Sequence, residues 1–294
     1  MNYTNTSNLP QPLVSAIQFS DYDKVGDISV TGLIQPPRIS QLTKRHNNEI
    51  TEDVSEGIWR LIGSIGHKIL ERADTDNHLS EERLQMYSGD PDGWMVSGKA
   101  DLLAPDMTLS DYKFTSVWAI KDAKIEWEQQ LNLYALLYRI NGFSVERARI
   151  VAVLRDWSKL KASREPEYPQ VGVVVREVPL WPALLQEEFL SDRVSIHQQA
   201  EKLADDNLPL CTEEERWHKP DVWAVKKNGG KRAIPGGLHT SMESARTAIA
   251  TTNAGSYEIE YRPGEDTRCL HYCALKQFCS YGKTLAVPAS DEAA

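Results

Sequence analysis

Apolar positions change their period several times along this chain, and each change marks an element. Ile58, Leu61, Ile62, Ile65, Ile69 and Leu70 recur at helical spacing, so Thr51 to Ala73 reads as an amphipathic helix with a buried stripe. Thr51-Glu-Asp-Val offers its start, with acids in the first turn. Three strand-like runs follow: Arg83 to Ser88, Trp94 to Leu103, and Met107 to Thr115. A second helix is expected from about Ile120 to Ile140, stopped by Asn141-Gly142. Ala148 to Leu154 and Val171 to Val178 read as strands, and Pro182 to Asp205 as a long amphipathic helix. Ser29 to Ile34 looks like a short strand closed by Pro36-Pro37, and residues 1–27 show no regular pattern. Helix, three strands, helix, strand is the order of an α/β fold with a mixed central sheet flanked by helices.

The pattern changes character after residue 210. Val222 to Val225 and Lys231 to Ile234 flank Asn228-Gly229, a hairpin signal. Ser241 to Thr251 reads as a short helix and Tyr257 to Tyr261 as a strand. No internal repeat is visible. The expected organisation is an irregular segment 1–27, a core 28–210, a small cysteine-bounded α+β unit 211–282, and a flexible tail 283–294.

Candidate chemistry concentrates in Gly98-Lys-Ala-Asp101, followed after nine residues by Asp111-Tyr-Lys113. Residues two apart on a strand share a face, so Asp111 and Lys113 project together. Ala104-Pro-Asp-Met107 carries turn chemistry and folds the preceding strand back, which brings Asp101 alongside. Two acids so close repel unless a cation or a proton intervenes. Oxygen ligands suit magnesium or manganese, and Lys113 then faces a substrate with its charge intact. That is equipment for cutting a phosphodiester. His67, on the helix before the strands, is a candidate metal ligand. Gln130 and Tyr134, one turn apart on the next helix, share a face and can point at the same groove.

Composition narrows the class. The 294 residues are 41% hydrophobic and 26% charged, which is ordinary for a globular protein. No apolar run is long enough to span a bilayer, and Met1 to Pro12 is polar without a signal core, so the cytoplasm is the expected compartment. A net charge of −9 counts against a uniformly basic nucleic-acid binder, but binding depends on where charges lie. Local basic clusters are Arg38, Lys44, Arg45; Arg155, Lys159, Lys161, Arg164; and Lys226, Lys227, Lys231, Arg232. Trp157, Trp217 and Trp223 stand near such clusters and are candidates for stacking on unpaired bases, with core packing preferred for Trp223.

The motifs in order resemble the RecB-like branch of the PD-(D/E)xK nuclease superfamily. The matching positions are Gly63 to His67 on a helix, Gly98 to Asp101 and Asp111 to Lys113 on strands, and Gln130 to Tyr134 on a helix. The match covers roughly residues 50–155, and more loosely the chain looks like nucleases of bacteriophages and prophages. The resemblance implies a restriction-endonuclease-like core and Mg2+- or Mn2+-dependent DNA hydrolysis. By position, His67, Asp101, Asp111 and the backbone carbonyl of Tyr112 would hold the metal. Asp101, Asp111, Lys113, Gln130 and Tyr134 would form the catalytic set. The expected activity is an exonuclease on duplex ends or single strands, serving recombination or DNA processing. An endonuclease or a CRISPR-adaptation-like end trimmer is the enzymatic alternative. A metal-stapled DNA-binding subunit working with a helicase or an annealing protein is the non-catalytic one, and an iron–sulfur electron carrier is a third rival.

Cys269, Cys273 and Cys279 crowd together near the C-terminus, with Cys211 upstream. Four thiolates can hold a 4Fe–4S cluster or zinc, and His271 can replace one thiolate at zinc. Several RecB-like relatives carry such a cluster as a staple. Here the first spacing is three residues instead of two, and Cys211 follows the nuclease motifs instead of preceding them.

Overall fold

The N-terminal residues expected to be irregular hold regular structure. In the computed structural model, which describes residues 1–19, 25–73, 78–89, 92–120, 124–251 and 256–285, Asn2–Thr4 forms strand β1. Gln11–Gln18 forms helix α1, with a proline in its first turn where no donor is needed. The helix buries Val14 and Ile17 against Val54, with Tyr3, Ile58 and Leu61 packed around them. The chain divides into two compact units, Met1–Leu203 and Ala204–Ala294, a division that falls ahead of Cys211.

Ser29 to Ile34 is mostly helix, not strand. Ile28–Ser29 (β2) is a short strand, and the Ser29 side chain then accepts the Gly32 N–H to cap Val30–Ile34 (α2). The β-branched and aliphatic residues read as a strand bury Val30 and Leu33 on one helical face instead. Pro37–His46 (α3) follows. Thr51–Asp53 (β3) pairs with β1, and a 3-10 turn leads into Ile58–Arg72 (α4). The helix of the first motif therefore starts at Ile58 and not at Thr51.

Leu79–Ser80 (β4), Arg83–Tyr87 (β5), Met95–Lys99 (β6), Leu102–Leu103 (β7) and Thr108–Thr115 (β8) come next. The single strand expected over Trp94 to Leu103 is broken at Ala100-Asp101. Before the break β6 lies between β2 and β5; after it β7 joins a different sheet beside β8. The break frees Asp101 from the ladder. Val117–Ile120 is a 3-10 turn and Ile125–Ile140 is α5, so the second helix starts later than expected; residues 121–123 of that expectation lie outside the described residues. Arg147–Leu154 (β9), Lys159–Ala162 (α6), Val173–Val178 (β10) and Ala183–Glu201 (α7) complete the unit.

The larger sheet runs β10-β9-β8-β7-β4, with β8 and β9 parallel and the other pairs antiparallel. The fold is mixed α/β. Leu131, Leu133, Leu137 and Tyr138 of α5, Ile150 and Ala152 of β9, and Leu190 and Val194 of α7 share one core. Gly98 allows a close approach to this core: a Cβ there would meet Leu137 Cδ2 at 2.7 Å and Tyr134 Cε1 at 2.8 Å.

The isoleucine stripe of α4 is not buried. Ile62, Ile65 and Ile69 are 36%, 49% and 59% exposed. The helix turns its glycine side to β8 instead, because Gly66 lets the Phe114 ring lie against it; a Cβ would sit 2.1 Å from Phe114 Cζ. Period alone says that a helix has an apolar face, not which face meets the sheet.

In the second unit, Glu213–Arg216 (α8) opens with a capping box from Thr212 and Glu215. His218–Lys219 (β11) pairs with Glu265–Asp266 (β15). Val222–Lys227 (β12), Ala233–His239 (β13) and Tyr257–Arg262 (β14) form a sheet in the order β13-β12-β14, packed by Met242–Ala250 (α9). Gly229 takes a φ of +74° at the expected hairpin turn. A π-helical turn, Arg268–Tyr272, and Ser280–Thr284 (α10) end the described chain. Of the tail expected to be flexible, residues 286–294 lie outside the described residues. Among the described residues no helix is long and apolar enough to cross a membrane.

Candidate metal centre and cysteine cluster

Alternation along β8 sends Asp111 and Lys113 toward α5, and Tyr112 and Phe114 to the opposite face, where α4 lies. The turn after β7 closes through the Met107 N–H to the Ala104 carbonyl at 2.9 Å. That places Asp101 against β8, where its Oδ2 accepts the Tyr112 N–H at 2.6 Å. From the α4 side, His67 Nδ1 lies 3.2 Å from Asp101 Oδ1, and its ring meets Phe114 edge-on at 5.8 Å. The Gly66 contact thus sets the height of the imidazole above Asp101. Gly63, the glycine of the motif, has nothing near its absent side chain.

Lys113 Nζ lies 2.7 Å from Asp111 Oδ2 and donates to Gln130 Oε1 at 3.0 Å. Gln130 Nε2 in turn donates to the Tyr134 hydroxyl at 3.3 Å. Asp111 Oδ2 is buried with a charge partner but no aligned hydrogen-bond donor. Seven of the residues singled out in the sequence therefore form two chains of contact: His67–Asp101–Tyr112, and Asp111–Lys113–Gln130–Tyr134.

Glu81 is the residue that sequence reasoning missed. It follows β4 with a φ of +54°, its Oε1 is 3.7 Å from His67 Nδ1, and its other oxygen pairs with Lys99. His67, Glu81 and Asp101 each offer a ligating atom, all within 4.8 Å of one another. They line a cleft of about 210 Å³ with Leu70, His78 and Tyr112. No glycine or asparagine marks the Glu81 conformation, and Ser80-Glu81-Glu82-Arg83 reads as an ordinary charged strand entry, so the sequence carried no signal for it.

The electrostatics fit a site built for a cation. Burial pushes Asp111 up to about 6; Lys113 opposes this and the neighbouring Asp101 adds to it. The hydrogen bond to Asp101 raises His67, against its partial burial, with help from the Asp101, Glu81 and Asp111 charges. Burial raises Tyr134, so its hydroxyl stays neutral. An imidazole, two or three carboxylates and an unsatisfied carboxylate oxygen are a donor set for a hard divalent ion. Such an ion needs a neutral imidazole and ionised carboxylates. Mn2+ affinity, measured by titration, should therefore rise between pH 5.5 and 7.5; equal affinity at both would contradict these assignments.

Gly66→Ala tests the packing that sets His67. The added methyl overlaps the Phe114 ring, and overpacking of this kind costs about 1–3 kcal/mol. A lowered melting temperature with weakened Mn2+ binding is expected, and an unchanged protein would count against the Gly66–Phe114 contact as the fixing element.

In the second unit, Asp266 lies close enough to Cys269 for its charge to raise that thiol. This buried carboxylate accepts from Arg216 Nε at 3.0 Å, from His218 Nδ1 at 2.8 Å and from the Tyr281 hydroxyl. Burial raises its pKa, but the Tyr281 and His218 hydrogen bonds and the Arg216 charge outweigh that and hold it below the usual range. Arg216 also donates to the Cys211 carbonyl, so α8, β11, β15 and α10 are tied at one point beside Cys211, Cys269 and Cys279. None of the four cysteines is in a disulfide among the described residues. Burial pushes Cys211 up to about 12 and Cys269 up to about 11, and each is raised further by its cysteine neighbours, Cys211 by Cys269 and Cys273. Among the described residues no three of these sulfurs lie within 4.8 Å of one another.

The other expected contacts are mixed. Trp157 is a core residue, its indole donating to the Pro169 carbonyl at 2.8 Å, and Trp223 packs on Tyr261. Trp217 is half exposed beside Arg268 and Tyr272. The first basic cluster is structural: Arg38 is buried, Lys44 pairs with Glu201, and Arg45 donates to the last carbonyls of α7.

No family model matches the chain, and no curated protein matches it. A solved structure described as "Crystal structure of SSO0001" is similar at 16% identity over 63% of this chain and 83% of that chain, with a TM-score of 0.46.

Proposed function

We propose that this chain is a Mg2+- or Mn2+-dependent DNA nuclease with a RecB-like, restriction-endonuclease-like core, and that it acts as an exonuclease. The supporting observation is the pair of contact runs that meet at β8: His67 to Asp101 to the Tyr112 N–H, and Asp111 to Lys113 to Gln130 to Tyr134. His67, Asp101 and Asp111, with the Tyr112 carbonyl, would hold the ion. When bound, that ion polarises a phosphoryl oxygen and makes water a better nucleophile at neutral pH.

The chain's own groups do the rest. Lys113 keeps an ammonium beside the reacting phosphate, where it stabilises charge that grows in the transition state. Gln130 holds Lys113 through its carbonyl oxygen, and the neutral Tyr134 hydroxyl holds Gln130, so the ammonium is aimed before substrate arrives. Trp217, with Arg268 beside it, offers a stacking face for an unpaired base. The four cysteines would carry a 4Fe–4S cluster, with zinc the alternative; a metal there would stabilise as thiolates Cys211 and Cys269, whose pKa values burial raises.

Linear and circular DNA incubated with Mg2+ or Mn2+ test this. Loss of linear DNA alone is expected. Cutting of circles would instead make the chain an endonuclease, and binding without loss would make it an accessory subunit.

A further inference from the structure

Glu81 belongs to none of the sequence motifs, yet it supplies one of the three ligating atoms gathered at the cleft. We propose that Glu81 is a ligand of the divalent cation and that Lys99 is the counter-ion it exchanges for that cation. The inference rests on the metal-site reading above and extends it to two residues outside the motif set.

The geometry divides the three carboxylates. Asp101 is held by the Tyr112 N–H and by His67. Asp111 is 3% exposed and engaged with Lys113. Glu81 sits at the cleft wall, one oxygen turned to His67 and the other to Lys99. The Glu81 N–H also donates to the Asp101 carbonyl at 3.3 Å, so the main chain keeps the two acids side by side. The set that already matches one coordination shell is thus His67, Glu81 and Asp101. Asp111 stands next to it, close enough for its charge to raise His67, with a buried Oδ2 that has no hydrogen-bond donor.

Charge explains Lys99. Three carboxylates this close repel one another unless cations are shared among them. Lys113 covers Asp111 and Lys99 covers Glu81. Lys113 has a second bond, to Gln130, that keeps it in the site. Lys99 stands instead opposite Arg83 across the β5–β6 pair, a like-charge neighbour that weakens its hold. A divalent ion carries twice the charge of the ammonium and binds Glu81, Asp101 and His67 together, so it displaces Lys99 toward solvent.

The two residues then act on metal binding in opposite directions. Glu81→Gln removes a ligand and should weaken Mn2+ binding about tenfold or more. Lys99→Met removes the competitor and should tighten it several-fold. A merely structural ion pair would move the melting temperature of both variants and the affinity of neither. The test is Mn2+ titration followed by electron paramagnetic resonance, with melting curves on each protein. Opposite shifts for E81Q and K99M, with loss of binding in Asp101→Asn, support the proposal. Loss in Asp101→Asn with wild-type affinity in E81Q overturns Glu81 as a ligand and leaves the metal centre standing. No Mn2+ binding by the wild-type chain overturns both. If E81Q does not fold, K99M decides alone: unchanged or weaker binding overturns the exchange.

Discussion

Asp111→Asn is expected to abolish phosphodiester cleavage while making the metal-free protein more stable at pH 7.5. The loss of activity follows from its place beside Lys113 and Asp101; single groups of this kind are worth on the order of 100-fold or more in rate. The gain in stability follows from the sign of its titration. Burial holds the folded carboxyl at about 6, above its ordinary value of 3.8. The folded chain therefore keeps a proton that the unfolded chain has released. That contribution is full below 3.8 and is lost as pH rises through about 6. At pH 7.5 the buried carboxylate is ionised at a cost of up to about 3 kcal/mol, which the amide does not carry. The His67 proton acts in the same direction: its raised pKa stabilises the fold below 6.5 and is lost as pH climbs through the higher folded value. Thermal unfolding of metal-free wild type and variant at pH 5 and 7.5 checks the claim. The variant should gain on the wild type only at the higher pH. A variant that cuts normally, or that melts lower at pH 7.5, contradicts the role given to Asp111.

Cys273→Ser carries the second large effect. If the four thiolates hold a metal group, binding energy there is folding energy, on the order of 10 kcal/mol for a structural zinc site. The serine variant should lose the metal and the cooperative melting of the Ala204–Ala294 unit. Iron, sulfide and zinc analysis, with visible absorption before and after reductant, tells a 4Fe–4S cluster from zinc. Full metal content at the wild-type melting temperature would rule out the staple. Asp266 gives an independent handle, since its hydrogen bonds tie α8, β11 and α10 beside the thiols and it bears none of the ligating sulfurs.

Much of this site was legible because its parts obey local rules. The turn chemistry of Ala104 to Met107 and the period of β8 place Asp101, Asp111 and Lys113 without knowledge of the rest of the fold. The four-residue spacing on α5 likewise makes Gln130 and Tyr134 neighbours. The misses are tertiary. Nothing local to Ala100-Asp101 says that the chain changes sheets there, because the reason is the competition of two sheets for one strand. The α4 stripe has the right period but the wrong partner, since the Gly66–Phe114 contact decides which side meets β8. Val30 to Ile34 reads as a strand until the Ser29 cap on the Gly32 N–H is seen. Arg38, Lys44 and Arg45 look like a basic patch, but Arg38 is buried, and the partners of Lys44 and Arg45 on α7 lie 157 and 155 residues away in sequence. Glu81 depends on a backbone conformation that no neighbouring residue type signals.

Release of label from end-labelled duplex DNA in Mn2+, by wild type beside Lys113→Ala and Asp101→Asn, puts the proposed nuclease site to the most direct trial. Steady release by wild type and a drop of about 100-fold or more in both variants, each still folded, is the expected result. A wild-type chain that leaves the DNA intact, or variants that digest it at the same rate, would contradict the account.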